Sequence, residues 1–321
     1  MKQQITAGFA ILIAALLSAD NALAKSAARK VNSRSSSVVT TADAGNDATK
    51  PGEIDWIRVL PAERLVNQDV VSSDRRFLGQ IDSIMLDVAT GDVVYVIVSS
   101  ENDYLAIPFR ALALRGWQDG RSIRVDETYQ RVLRNSPHTG GTRMSEDLGD
   151  PKDIARTNRA FGVPTPYGYV VPPNPDRDIL PNRYLLVRPR NIGALQMERD
   201  AKNKDASPAR EIRGRQVARA DGQPIGEVEY IMLDLEAGRI AYLLLSSGSF
   251  LGLGGEWIPV PPEAVEWSPE KETAILKKGV KRTALAPLQR SEPPGFIRRS
   301  QLEALYQRFD VTPYQQQSRL D

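Results

Sequence analysis

The hydrophobic pattern of this chain is written twice. In Gln80–Val88 and again in Val93–Ser99 the apolar residues are dense and partly β-branched, and runs of this length bounded by turn residues predict strands. Between them, Asp87-Val-Ala-Thr-Gly91 predicts a hairpin turn, with the Asp87 carboxylate suited to capping backbone amides and Gly91 free to take a positive φ. The stretch from Gly79 to Tyr95 returns 147 positions later as Gly226 to Tyr242, with Asp234-Leu-Glu-Ala-Gly238 as its turn. An internal duplication of this kind means two copies of one small β domain.

The pattern continues alike in both copies. Tyr104–Phe109 is a further strand with Pro108 suited to an edge or strand end, and Arg121–Val125 alternates polar and apolar residues. Ile107-Pro108 corresponds to Ile258-Pro259 at an offset of 151, so four residues enter the second copy within the loop Gly248–Gly255. Past each β region the spacing predicts a short helix and then a Thr-Pro-Tyr tail, Thr165-Pro-Tyr167 and Thr312-Pro-Tyr314. In the second helix Ser300-Gln-Leu-Glu303 reads as a capping box, and Leu302, Leu305, Tyr306 and Phe309 share one face. Because both copies carry a tail, each tyrosine is expected to dock on its own barrel. Between the copies Val171-Pro-Pro-Asn-Pro175 is expected to be extended and stiff. Residues 174–219 hold 11 basic and 6 acidic side chains, read as a solvated linker in which Tyr184–Val187 adds a strand to one barrel.

The N-terminus has a different texture. Lys2 precedes an apolar run from Ile5 to Leu17, and Ala22-Leu23-Ala24 places small residues where a signal peptidase reads them. The run is shorter than the roughly 20 residues of a membrane-spanning helix. The expectation is a signal peptide over 1–24 cleaved after Ala24, export to the periplasm, and no transmembrane span in the mature chain. Residues 25–53, mostly Lys, Ser, Ala, Thr, Asn and Asp, are read as a disordered tether.

Composition narrows the chemistry. The 321 residues carry 42 basic and 40 acidic side chains, so no chain-wide attraction to nucleic acid follows. There is no cysteine and a single histidine, His138, which removes disulfides, thiolate nucleophiles and histidine clusters for metal. No cofactor is implied.

Taken together, the opening strand, the glycine turn before Gly79 and Gly226, the Asp-x-x-x-Gly hairpin and the segments Ile107–Leu112 and Ile258–Ala264 resemble the PRC-barrel family. The loop Phe250-Leu-Gly-Leu-Gly254 is similar to a glycine-rich loop frequent in its bacterial members. The resemblance implies a mainly β fold of two tandem small antiparallel barrels used as binding modules, and no catalytic residues carry over. The expected organisation is domain 1 at 54–136, helix, tail and linker at 137–207, domain 2 at 208–290, and a C-terminal helix and tail at 291–321.

Each candidate site has a plainer reading beside it. Asp87 and Asp234 could be paired carboxylates, but repetition in both copies favours structural turns, together with Gly91 and Gly238. Ser268-Pro-Glu-Lys271 matches a Ser-x-x-Lys pattern by letter only, because Pro269 argues against the helical turn it needs. His138 is read as solvent-exposed, without a fixed partner that would make it a base. Phe250, Leu251, Gly252, Leu253 and Gly254 form the best candidate contact loop, since apolar side chains at a hairpin tip call for something to bury against. The leading expectation is therefore a non-enzymatic periplasmic scaffold that binds a protein or envelope component through its loops. The alternatives are an enzyme using carboxylates in a cleft between the barrels, and a purely structural envelope or stress protein.

Overall fold

Gly79 and Gly226 recur because the following strand passes directly over them. A Cβ at either position would run into the backbone carbonyl oxygen of Ser99 or Ser246. Beyond these glycines the long strands shift register against their hairpin partners, between Ile81 and Ser83 and between Met85 and Leu86 in the first copy. The second copy shifts between Ile240 and Tyr242 and between Leu244 and Leu245. Such bulges bend a strand and increase its twist, so each copy curls.

The computed structural model describes residues 55–100, 103–138, 146–165, 184–188, 211–247, 256–267, 273–289 and 293–317. The first copy supplies β1 (Trp56–Pro61), β2 (Asp69–Val71), β3 (Phe77–Asp87), β4 (Asp92–Ser100), β5 (Asp103–Pro108) and β6 (Ile123–Arg124). Helices α1 (Tyr129–Asn135) and α2 (Pro151–Ala160) follow, and then β7 (Tyr184–Val187). The second copy supplies β8 (Gln216–Ala218), β9 (Pro224–Asp234), β10 (Arg239–Ser247), β11 (Glu256–Val260), β12 (Val265–Trp267) and β13 (Thr273–Leu276). It ends with β14 (Leu288–Gln289), β15 (Phe296–Arg298), α3 (Arg299–Arg308) and the short α4 (Tyr314–Gln317).

What the sequence presents as two separate barrels is one joined network among the described residues. The main path runs β12-β13-β8-β9-β10-β4-β3-β2-β6, with β5 on β4 and β11 on β10. The copies also exchange strands. β1 opens the first copy but pairs with β9 of the second, Val59 opposite Asp234 and Pro61 opposite Met232. β7 precedes the second copy but pairs with β3 of the first, Tyr184 opposite Asp87 and Leu186 opposite Met85. Asp87 and Asp234 are equivalent residues, so the exchange is reciprocal.

Packing follows the pairing. One apolar core runs through both copies, from Val59, Ile84 and Val96 to Leu233, Leu243 and Leu245. A second cluster joins Met85, Tyr95 and Ile97 on the sheet of the first copy to Leu148 beside α2, Ile154 on it, and Tyr184 and Leu186 of β7. Helix α2 starts as its sequence directs, with Pro151 in the first turn and Asp150 Oδ1 accepting from the Lys152 amide at 2.8 Å. Helix α3 starts at Arg299, ahead of the expected Ser300 cap. Its box is made by Gln301 Oε1, which accepts from the Arg298 amide at 3.1 Å, so the helix begins directly at the end of β15. Leu302, Leu305, Tyr306 and Phe309 are all buried.

Candidate functional site

The two hairpin turns meet tip to tip, and the most unusual chemistry of the described residues lies where they touch. Asp87 Oδ1 accepts from the amides of Ala89 and Thr90 at 3.0 and 3.3 Å, and Asp234 Oδ1 from those of Glu236 and Ala237, both at 3.0 Å. Gly91 and Gly238 take φ of 76° and 63°, the left-handed region in which glycine has no Cβ penalty. With the tips shaped in this way, the Val93 amide donates to Gly238 O at 2.9 Å and the Ile240 amide donates to Gly91 O at 2.8 Å. These bonds are reciprocal, and they bring Asp92 opposite its own repeat equivalent, Arg239.

Asp92 has no exposed side-chain surface, and Arg239 and Arg110 each place a nitrogen 3.8 Å from its Oδ1. Burial pushes the Asp92 carboxyl up to about 6, against the pull of Arg239, Thr90 and Arg110. Arg239 also donates to Thr90 O, lies 3.5 Å from Glu263 Oε1, and sets its guanidinium 5.1 Å from the centre of the Tyr314 ring. Burial likewise raises the Glu263 carboxyl, again against Arg239. The Tyr314 hydroxyl donates to Asp234 Oδ2 at 2.7 Å, so the end of the chain is fastened to the second turn. Tyr306 stands edge-on to Tyr314 and donates to Ala241 O at 3.1 Å. The cluster is a closed polar joint between the copies. It can hold them together and respond to protons, with Asp92 withdrawn from solvent and Arg110 partly exposed at the edge.

His138 differs from its expected solitude. Although half-exposed, its Nδ1 lies 2.9 Å from Asp103 Oδ2 and its Nε2 2.8 Å from Leu133 O. The Leu133 carbonyl raises its pKa most, partly opposed by desolvation, and Asp103 adds to the rise. An Asp–His pair could orient a base, but here the second nitrogen faces a backbone carbonyl, which can only accept. The ring thus ties α1 to β5, with both nitrogens already engaged.

Of the residues singled out from sequence, Asp87, Gly91, Asp234 and Gly238 are brought together at the joint. Phe250, Leu251, Gly252, Leu253 and Gly254 lie outside the described residues, as do Ser268–Lys271, Tyr167 and the Pro-rich segment 171–175. Asp92, Arg239, Arg110 and Glu263 were not anticipated. A signal for the first two existed: directly after each turn glycine, equivalent positions of the repeat carry opposite charges. Among the described residues no group of three His, Asp or Glu side chains could hold a metal ion, and no helix is long and apolar enough to cross a membrane.

Comparison with known proteins agrees with the duplicated geometry. No curated protein matches the chain. The family model of the PRC-barrel domain matches twice, over residues 58–131 and 204–279. These matches contain both turns and the strands on either side of them, so the chain carries two PRC-barrel domains in tandem.

Proposed function

We propose that this protein is an exported, non-enzymatic binding or scaffold module that recognises a protein or cell-envelope component through its barrel loops, with Phe250–Gly254 as the foremost contact. The observation that supports this most is a contrast in exposure. The carboxylates with raised pKa at the joint are buried, whereas Trp56, Phe77 and Phe296 are large aromatic side chains left open to solvent. Trp56 and Phe296 share one face of the β1–β15 ribbon with Arg298 and Arg58, each aromatic opposite an arginine. Faces of aromatic and arginine residues suit recognition better than catalysis. Exchange of strands makes the two copies one body, so the strands that carry the loops stand in a fixed relation.

The test is crosslinking in living cells, comparing the wild type with a variant lacking residues 249–254 and with W56S/F296S. A specific adduct lost on loop deletion supports the proposed contact. An adduct kept by the loop deletion but lost in W56S/F296S moves the contact to the β1–β15 face. No adduct in any sample sinks the binding reading. Export is tested by the intact mass of the periplasmic protein, which should begin at Lys25.

A second reading, an enzyme using carboxylates between the copies, has the raised Asp92 and Glu263 in its favour. It requires the joint to open, since Asp92 is closed off by both turns. Retained cellular function in D92N would exclude it.

A further inference from the structure

Among the described residues four large apolar side chains are exposed, and two of them meet on one short ribbon, Trp56 at 49% and Phe296 at 59%. In the β1–β15 pairing Trp56 lies opposite Arg298 and Arg58 opposite Phe296, so these four positions share one face. The Arg298 guanidinium sits 5.2 Å from the centre of the Trp56 ring, a cation–π arrangement that keeps ring and charge side by side at the surface. Ile57 and Ile297, on the other face, pack with the main core. The ribbon is therefore anchored from behind while its aromatic side faces outward, and covering those rings would remove apolar area from water.

The charge beside the ribbon indicates what covers it. Arg58 donates to Leu114 O at 2.9 Å and to Trp117 O, and so holds the loop from Leu114 to Arg121 against β1. Trp117 Nε1 donates to Arg121 O at 2.7 Å and closes that loop. Arg115 and Arg121 are exposed there, whereas the loop's acidic residue, Asp119, is paired with Arg64 at 2.5 Å. Asp55 is taken up in the same way by Arg299. Among the described residues no carboxylate pairs with Arg115, Arg121 or Arg298. Opposing charge comes from Glu236, exposed next to Leu235, whose amide donates to Arg58 O at 3.3 Å. Three cations without ion-pair partners thus stand around two open aromatic rings, against one such carboxylate.

A protein partner needs a shaped, closely packed contact, and rings projecting from a ribbon two strands wide offer none. A lipid surface needs no match of shape: tryptophan settles at headgroup level, and each nearby arginine adds attraction to anionic headgroups. The chain that leads into Trp56 carries the same sign of charge, since from Lys25 onward Arg29, Lys30 and Arg34 all precede the first acidic residue, Asp43. We infer that the β1–β15 face docks on an anionic lipid bilayer, with Trp56 and Phe296 entering the headgroup layer and Arg115, Arg121 and Arg298 facing its charge. This goes beyond the loop-recognition reading, and either can fail without the other. It is tested on the chain beginning at Lys25 by flotation with vesicles containing phosphatidylglycerol, against vesicles of phosphatidylcholine alone.

The expected result is flotation with the anionic vesicles that weakens at least tenfold in W56S/F296S. It should weaken severalfold in R115Q/R121Q and at raised salt, and stay unchanged in the variant lacking residues 249–254. Circular dichroism checks each variant for unchanged fold. Brominated lipid should quench tryptophan fluorescence in the wild type, because Trp56 is open while Trp117 and Trp257 are buried. That quenching should be lost in W56F, which keeps an aromatic ring and still floats. No flotation, equal flotation with phosphatidylcholine, or unchanged binding in W56S/F296S overturns the proposal. So does binding lost on loop deletion but kept in W56S/F296S, which would place the bilayer contact at the loop. A protein crosslink that needs Trp56 and Phe296, with no vesicle binding, assigns the face to a protein and likewise overturns it.

Discussion

Asp92 is a carboxylate that the fold has removed from water without a short hydrogen bond to its oxygens, and this fixes the sign of its pH dependence. Its folded pKa, about 6, lies above its ordinary value of 3.8. The folded state therefore binds the proton more tightly than the unfolded chain, and stability rises as pH falls through 6. The effect saturates once the ordinary carboxylate range is reached, and a difference of about two units is on the order of 3 kcal/mol at most. Glu263 acts in the same direction. So does His138, whose raised pKa contributes stability that is present below the ordinary histidine value and lost as pH rises through the folded one. Its half-exposed position makes that contribution small. Denaturant unfolding should thus show greater stability at pH 5 than at pH 8, with the slope reduced in D92N. A flat profile for the wild type between those values would contradict the account.

The turns at this joint were legible in the sequence, because Asp and Gly at fixed spacing act on their own backbone. Asp87, Gly91, Asp234 and Gly238 needed no tertiary knowledge. His138 was misread for the converse reason: Asp103, one of its partners, lies 35 residues away in sequence and across a strand.

At the scale of elements, the joint behaves as an interface in which each hairpin meets its own copy. In a symmetric pair, a residue at the contact faces itself, and two aspartates or two arginines there would repel. Asp92 against Arg239 removes that repulsion and makes the two copies complementary, not interchangeable. Replacing Arg239 by Met leaves a buried carboxylate with a weaker counter-charge, and removing one partner of a buried pair costs about 3–5 kcal/mol. The expected loss for R239M at pH 8 is of that order, smaller at pH 5 where Asp92 is protonated, and partly recovered in D92N/R239M. A double-mutant cycle by urea unfolding measures it. Additive single and double effects would show that the two side chains do not interact. The strand exchange at this level was not legible. A strand's hydrophobic pattern specifies which face is buried but not which neighbour it pairs with. Tyr184–Val187 could be read as an added strand, whereas nothing in Trp56–Pro61 announced that it belongs to the other copy.

For the whole molecule, a main core shared by both copies and one hydrogen-bonded strand network join the described residues of the two copies. Calorimetry is expected to give one unfolding transition, with calorimetric and van't Hoff enthalpies in agreement. Two resolved transitions would mean that the copies melt separately. A fragment ending near residue 136 keeps β1 but lacks β9 to receive it, and its own β3 lacks β7. Such a fragment should be insoluble or unstructured alone.

The pairing of Trp56 with Arg298 spans nearly the entire folded chain. Contacts between residues so distant in sequence delay folding, because loop closure precedes any stabilisation from them. As a chain is synthesised, its first strand has no partner until β9 is made, and its Trp56–Arg58 half has none until β15 follows. Until β7 and β9 are made, the edge of β3 and the apolar side of β1 are open to other chains. Incomplete chains should therefore be the species most prone to aggregation and to capture by chaperones, and the last thirty residues act as the closing step for the first ten of the fold.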